Sequence, residues 1–192
     1  MLAGLKRKIE VMLKGDAPVT GAPGSDPGDP SGEPAADARE RARVIDLLQS
    51  YRASESLNAR YCGMWAQVTV NERMRGGLRT VQAREGTHAR LMRERLKELG
   101  ETQFVQVPQA QQARAVAFFA SSSRSDLKKL SVLKSMMDDF DAYFRSLVDD
   151  IESIRGDSCT QELLRTIIDD ERATTLWFAR MYSGLSARHP QA

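Results

Sequence analysis

The sequence is poor in the residues that build several common kinds of site. Its 192 residues include two cysteines, Cys62 and Cys159, and two histidines, His88 and His189. Two cysteines are too few for a disulfide framework or a cysteine-rich metal site. Aromatic residues make up 6% of the chain and the formal net charge is +2. Neither value is typical of a nucleic-acid-binding module, so no nucleic-acid partner is predicted.

Long apolar runs are also missing. No stretch of about 18 apolar residues, the length that marks a membrane-spanning helix, occurs in the sequence. The first fifteen residues, MLAGLKRKIEVMLKG, mix charged and apolar residues, whereas a secretory signal has a continuous apolar centre. We therefore expect a cytoplasmic protein.

Residues 1–14 predict a short basic amphipathic helix. Leu2, Leu5 and Ile9 recur at helical spacing, with lysine and arginine residues beside them. Such a helix can rest on its own domain or on a sister subunit. It can also dock on an anionic membrane surface or on a protein partner.

Residues 15–38 predict a disordered linker. The segment holds five of the seven prolines of the chain, and all of its charges are acidic. It has almost no apolar surface to bury, so it cannot offset the entropy cost of folding. The linker would tether the N-terminal helix to the rest of the protein.

Residues 39–186 predict one all-α domain, followed by a tail at 187–192. Helical periodicity indicates four long helices, at about 39–69, 71–99, 125–155 and 158–182, with a shorter helix at 109–122. Two helical hairpins joined by a longer crossing connection favour a four-helix bundle, with the short helix in that connection.

Local motifs predict where several helices begin and end. The segment TVNE, Thr69–Glu72, has the form of a capping box for the second helix, and Gly100 stands where a glycine would end it. Ser125 is a candidate N-cap of the third helix, and Gly156 is its candidate end.

Polar residues interrupt the apolar faces of three of the long helices. The predicted buried face of the first helix consists of Val44, Leu48, Tyr51, Glu55, Asn58, Cys62, Trp65 and Thr69. That of the second consists of Met74, Leu78, Val81, Glu85, His88, Met92 and Leu99. Glu171 interrupts the fourth, whereas the face of the third is apolar, with Asp138 and Asp139 beside it.

Buried carboxylates in this number predict a bound cation. An ionised carboxylate without a partner is costly to bury, so buried charges are paired or bind metal. Glu85 and His88 are three residues apart on one helix face and can bind the same ion. Carboxylate and imidazole ligands suit iron, manganese or zinc. The predicted ligands are therefore Glu55, Glu85, His88 and Glu171.

Two other interpretations of these residues remain open. The polar residues could form a hydrogen-bonded core without metal, in which Arg84 or Arg90 pairs with a buried carboxylate. Alternatively, the helix phase could differ from the one inferred here, so that these residues lie on the surface.

These residues resemble those of the ferritin-like superfamily, especially its rubrerythrin-like members, over roughly residues 40–185. Glu55, the segment REGTHARLMRERLKELG with Glu85 and His88, and DERATTLWF with Glu171 carry the resemblance. It implies a ferritin-like four-helix bundle with a di-iron site, built from one Glu on each of two helices and Glu-x-x-His on each of the others. It further implies that Glu55, Glu85 and His88 hold one metal, with Glu85 and Glu171 bridging to a second.

The second half of that implied site departs from the family pattern. Met137 or its neighbours stand where a glutamate is expected, and Thr174 stands where a histidine is expected. Asp138 and Asp139 are weak candidates to replace the glutamate, and His189 lies in the tail. We therefore expect one iron or manganese ion rather than two, or none.

The function that the resemblance implies is iron handling or iron- or manganese-dependent oxidation, as a ferroxidase or a peroxide-linked oxidoreductase. It also implies a homodimer or a larger homo-oligomer. The alternative is a metal-free helical bundle that acts as an interaction or stress-related module and docks through residues 1–14. A membrane-associated di-iron hydroxylase is a third hypothesis, and it requires the second half-site.

Overall fold

The computed structural model describes residues 32–136 and 140–188, and its regular secondary structure is entirely helical. Its elements are α1 (Gly32–Val68), α2 (Glu72–Glu98), α3 (Gln109–Phe119), α4 (Asp126–Met136), α5 (Phe140–Glu152) and α6 (Ser158–Ser186). The predicted all-α class is confirmed. None of the helices in these ranges has the length and hydropathy needed to cross a bilayer. The predicted N-terminal helix, residues 15–31 of the predicted linker and residues 189–192 of the tail lie outside the described residues.

Two helix boundaries differ from those predicted. α1 begins at Gly32, inside the predicted linker, so the boundary at residue 39 is wrong. Alanine, arginine and glutamate dominate the segment from 33 to 42 and favour a helix. Pro34 lies in the first turn, where N–H groups have no helical partner in any case. At the other end of the chain, α6 continues to Ser186, beyond the predicted end at 182.

The predicted third helix corresponds to α4 and α5, and residues 137–139 between them lie outside the described residues. Ser125 caps α4 as predicted, because its hydroxyl accepts the Lys128 N–H at 3.3 Å. α5 ends at Glu152, before the predicted end at Arg155. Gly156 follows with a positive φ of 74°, which turns the chain towards α6.

The start of α2 is capped by Asn71, so the capping box predicted at Thr69–Glu72 is wrong. The Asn71 side chain accepts the N–H groups of Arg73 at 3.0 Å and Met74 at 3.2 Å. The Thr69 hydroxyl instead donates to Asp126 at 2.6 Å and ties the turn to α4. Asparagine is a stronger N-cap than threonine and lies one residue before the helix, which explains the shift.

The end of α2 follows the prediction. Gly100 has a φ of 85°, its N–H donates to the Lys97 carbonyl, and the Glu101 N–H donates to the Leu96 carbonyl. This pattern is a Schellman motif, which requires the left-handed conformation that glycine adopts easily. Leu99 is the C-cap and only partly buried, so Leu96, not Leu99, completes the buried face of α2.

α1 and α2 form a long antiparallel hairpin, and α6 packs against α2, α4 and α5. α3 covers α1 from outside. The predicted buried face of α1 is confirmed, since each of its eight residues is at most 9% exposed.

The core consists of two apolar clusters. The Trp65 cluster includes Tyr61, Trp65, Leu78, Phe119, Leu130 and Phe178. The Leu48 cluster includes Leu48, Tyr51, Met92, Phe144, Leu147 and Ile168. Three helices, α1, α2 and α6, contribute to both clusters, whereas α4 contributes to the first and α5 to the second.

Candidate metal centre

A layer of polar side chains lies where α1, α2 and α6 pass from one apolar cluster to the other. Glu55 comes from α1, Glu85 and His88 come from α2, and Glu171 comes from α6. The first three are at most 3% exposed, and the Glu171 side chain is 15% exposed. The interpretation that places these residues on the surface is therefore wrong.

Three of the four predicted ligands converge on one point. The Nδ1 atom of His88 lies 3.6 Å from Oε2 of Glu55 and 3.6 Å from Oε1 of Glu171. One ligand atom from each of these three residues lies within 4.8 Å of the others. Donors that share an ion at about 2.1 Å lie about 3.0–3.4 Å from one another, so the observed separations are close to those of a ligand set. They are too long for good hydrogen bonds.

The converging atoms have no hydrogen-bond partner. In the described part of the chain, four buried side-chain atoms lack one: Arg52 Nε, Glu55 Oε2, His88 Nδ1 and Glu171 Oε1. Nearly all buried polar atoms in folded proteins are hydrogen-bonded, so each exception requires an explanation. Three exceptions meet here at one point. A cation between them would satisfy all three.

Glu85 belongs to the same layer but is directed to another partner. Its Oε2 accepts a hydrogen bond from Nδ2 of Asn58 at 3.1 Å. Burial raises the pKa of Glu85 well above its ordinary value, and the charges of Glu55 and Glu171 raise it further. The side chain of Glu55 beside it raises the pKa of Glu85 as well. Glu85 therefore lies beside the three converging residues as a fourth carboxyl group.

The electrostatics of the layer favour a positive charge. Burial raises the pKa of Glu55, and the nearby charge of Glu171 raises it further. Arg84 does not offset these charges, because its guanidinium binds Thr174 at 3.1 Å and lies 3.6 Å from Asp170. Without metal, the layer can remain buried only if it keeps protons that exposed carboxyl groups would lose.

Asp170 is a part of the site that the sequence did not reveal. Its Oδ2 lies 3.1 Å from Nε2 of His88. A carboxylate there favours the tautomer in which Nε2 carries the proton, which leaves the lone pair of Nδ1 for a metal. Burial tends to lower the pKa of His88, but Glu171 and Asp170 raise it overall. The run DDE at 169–171 contains two adjacent aspartates, and no sequence pattern distinguishes the one that faces His88.

The implied second half-site is only partly described. Thr174 is buried at the position where the family pattern has a histidine, and its hydroxyl accepts a hydrogen bond from Arg84. Met137, Asp138 and Asp139 lie outside the described residues. The proposed role of the two aspartates as weak ligands therefore stays a prediction.

No protein-family model matches this sequence, and no curated protein or solved structure shows significant similarity to it. The resemblance to ferritin-like proteins rests on the residues discussed above.

Proposed function

We propose that this chain is a ferritin-like metal-binding protein that holds one iron or manganese ion between Glu55, His88 and Glu171. The observation that carries the proposal is the convergence of three buried ligand atoms, each without a hydrogen-bond partner. Glu85 is adjacent and would complete the ligand set or keep a proton beside it.

The proposed architecture is a four-helix bundle in which α4 and α5 together form the third arm. Contacts of α1 with both segments support it. The Trp65 indole donates to Asp126 of α4 at 2.7 Å, and the Tyr51 hydroxyl donates to Asp150 of α5 at 3.3 Å. α6 packs on both segments. The ligands then occur on the helices, and in the order, that the resemblance implies.

The donor set suits iron or manganese, since both accept carboxylate oxygen together with imidazole nitrogen. Bound at this site, such an ion would supply one-electron chemistry with peroxide or oxygen. Glu55 and Glu171 would balance its charge, and His88 would be the neutral nitrogen donor. Asp170 would orient the imidazole, and the apolar clusters on either side would limit access of water to the layer.

The test is the metal content per chain, measured by elemental analysis. The protein is purified without a histidine tag and reloaded anaerobically with Fe(II) or Mn(II). We expect about one ion per chain in the wild type. We expect none in the His88→Ala variant, because His88 supplies the one nitrogen ligand among the three protein donors. The His189→Ala variant is the matched control, since His189 is the other histidine of the chain, and it should keep the ion.

Three outcomes separate the hypotheses. About two ions per chain would mean that Asp138, Asp139 or another donor completes a second half-site. Loss of the second ion from the double variant Asp138→Asn, Asp139→Asn would identify the two aspartates as the ligands. Metal that persists in a folded His88→Ala protein would contradict the proposed site. No metal in the wild type would overturn the proposal and turn attention to residues 1–14 as a docking helix.

A further inference from the structure

A cleft lies on the outer side of α1, beside the connection between α2 and α3. Its volume is about 230 Å³. Leu57 of α1 and Val105, Val107 and Pro108 of the connection supply its apolar walls. Gln49 holds the connection in place, because its amide donates to the Gln103 carbonyl at 2.7 Å and accepts the Val105 N–H at 3.0 Å. These hydrogen bonds fix one wall of the cleft relative to α1.

A row of oxygen-bearing side chains runs along the cleft. Asp46, Ser50, Ser54 and Asn58 all line it, and they follow one another at intervals of four along α1. Residues four apart lie on one helix face, so the row extends about 18 Å along the helix. Carboxylate, hydroxyl and amide oxygens are the groups that bind hydrated divalent cations.

Most side chains of this row form no hydrogen bond or ion pair with other described residues. Within residues 32–136 and 140–188, Asp46 forms no ion pair, and the hydroxyls of Ser50 and Ser54 form no hydrogen bond. On the opposite wall, the side-chain amide of Gln111 likewise forms no hydrogen bond within these ranges. These polar groups can therefore contact an occupant of the cleft.

The inner end of the row reaches the carboxylate layer. Asn58 lines the cleft and donates to Glu85 at 3.1 Å, and Glu85 belongs to the same buried layer as Glu55. The described residues that line the cleft include Asp46 and no lysine or arginine.

We propose that this cleft is the route by which a divalent cation enters and leaves the metal centre. The inference rests on the proposed function. Asp46 attracts the ion at the mouth, the oxygens of Ser50, Ser54 and Asn58 replace part of its water shell, and Glu85 receives it.

The test is the rate at which the full-length apoprotein takes up Co(II) in a stopped-flow instrument, followed by the visible absorption of the bound ion. The Ser54→Leu substitution fills the cleft without touching a ligand. We expect uptake to slow by about tenfold or more, which corresponds to a modest added barrier. Release to a chelator should slow by the same factor, because an obstruction on the path raises the barrier in both directions. The dissociation constant and the stoichiometry should not change.

A second test variant and two control variants make the test independent of one substitution. Asp46→Asn removes the charge at the mouth, where a change of fold is not expected. It should slow uptake by about threefold at low salt and weaken the salt dependence of the rate. Ser146→Leu and Asp149→Asn make the same changes at exposed positions of α5 outside the cleft and are the matched controls.

Wild-type uptake rates in Ser54→Leu and Asp46→Asn would overturn the entry route while leaving the metal centre in place. A weaker dissociation constant without slower uptake would also overturn it, because the substitution would then act on the bound ion. If circular dichroism shows that Ser54→Leu does not fold, the uptake rate of Asp46→Asn decides whether the entry route is correct. Failure of the wild type to bind Co(II), Fe(II) or Mn(II) would refute the proposed function itself.

Discussion

The two nitrogens of His88 face different partners, and this difference determines which of them can bind a metal. Nε2 faces Asp170 at 3.1 Å, whereas Nδ1 faces Glu55 and Glu171 at 3.6 Å. Asp170 also forms an ion pair with Arg84 at 3.6 Å, which helps to hold the Asp170 carboxylate beside His88. Asp170 is therefore a positioning residue, and it acts on the metal only through His88.

The Asp170→Asn substitution should weaken metal binding by about 10- to 100-fold, the usual cost of losing such a partner. The fold should be retained, because Asp170 is half-exposed. The measurement is the dissociation constant for Co(II) or Mn(II), with circular dichroism as the check on folding.

Asp169→Asn is the matched control, because the neighbouring Asp169 is exposed and pairs with Arg172 at 3.4 Å. It should bind metal as the wild type does. Equal affinities of the two variants would show that Asp170 does not orient His88.

Single residues also show how far the sequence can predict the site. Periodicity identified Glu55, Glu85, His88 and Glu171 as buried or half-buried on the correct faces, because burial follows helical phase. It could not show that Glu85 turns to Asn58 while the other three converge, since this depends on side-chain rotamers. Lys129, buried against the Trp65 ring at 5.5 Å, was not foreseen either.

Helix α2 carries two adjacent glycines, and only one of them is needed for packing. A Cβ atom placed on Gly77 would lie 1.9 Å from the ring of Trp177 on α6, whereas one on Gly76 would meet nothing within 4 Å. The approach of α6 to α2 at this point therefore depends on Gly77. The site lies on the same pair of helices.

The two Gly→Ala substitutions should change stability in opposite directions. Gly77→Ala should lower the free energy of unfolding by about 1–3 kcal/mol, because Trp177 must move. Gly76→Ala should raise it by up to about 1 kcal/mol, because alanine is the better helix former and the position is open. Urea denaturation of the apoproteins measures both. A stabilised Gly77→Ala protein would contradict the described packing of α6.

Helix ends were harder to predict than helix positions, because several residues compete for each end. Thr69 and Asn71 could both cap α2, and the side chain nearer to the first helical residue does so. At Gly100 a single candidate was present, and the predictions at Gly100 and Ser125 are both confirmed. The early start of α1 at Gly32 shows that a proline-rich segment can end in a helix when alanine and arginine follow.

At the scale of the whole molecule, the carboxylate layer ties stability to pH. The pKa values of Glu55, Glu85 and His88 are all raised in the folded protein. A group with a raised pKa binds protons more tightly in the folded state than in the unfolded state. The stability it contributes is complete below its unfolded pKa and is lost as the pH rises towards its folded pKa.

The apoprotein should therefore become less stable as the pH rises from about 5 to about 8. Bound metal should flatten this dependence, because it replaces the protons in the layer. Glu85→Gln should flatten it in part, since the amide does not titrate. Thermal denaturation of the apo and metal-loaded proteins at several pH values measures the effect. An apoprotein whose stability rises over this range would contradict the described burial of the layer.

Glu40 changes the stability of the protein with pH in the opposite direction, and over a different pH range. Its hydrogen bond with Arg43 lowers its pKa from 4.5 to about 2. The stability it contributes is present above 4.5 and is lost only as the pH falls towards 2. The decline expected between about pH 5 and 8 therefore comes from the layer.

The most direct test of the central claim is pulsed electron paramagnetic resonance of the Mn(II)-loaded protein. We expect the signal of an isolated Mn(II) ion with modulation from one directly bound imidazole nitrogen. The His189→Ala protein should keep this modulation, whereas the His88→Ala protein should show no bound Mn(II) ion. A spin-coupled pair of ions, or a bound ion without nitrogen modulation in the wild type, would contradict a single metal held by Glu55, His88 and Glu171.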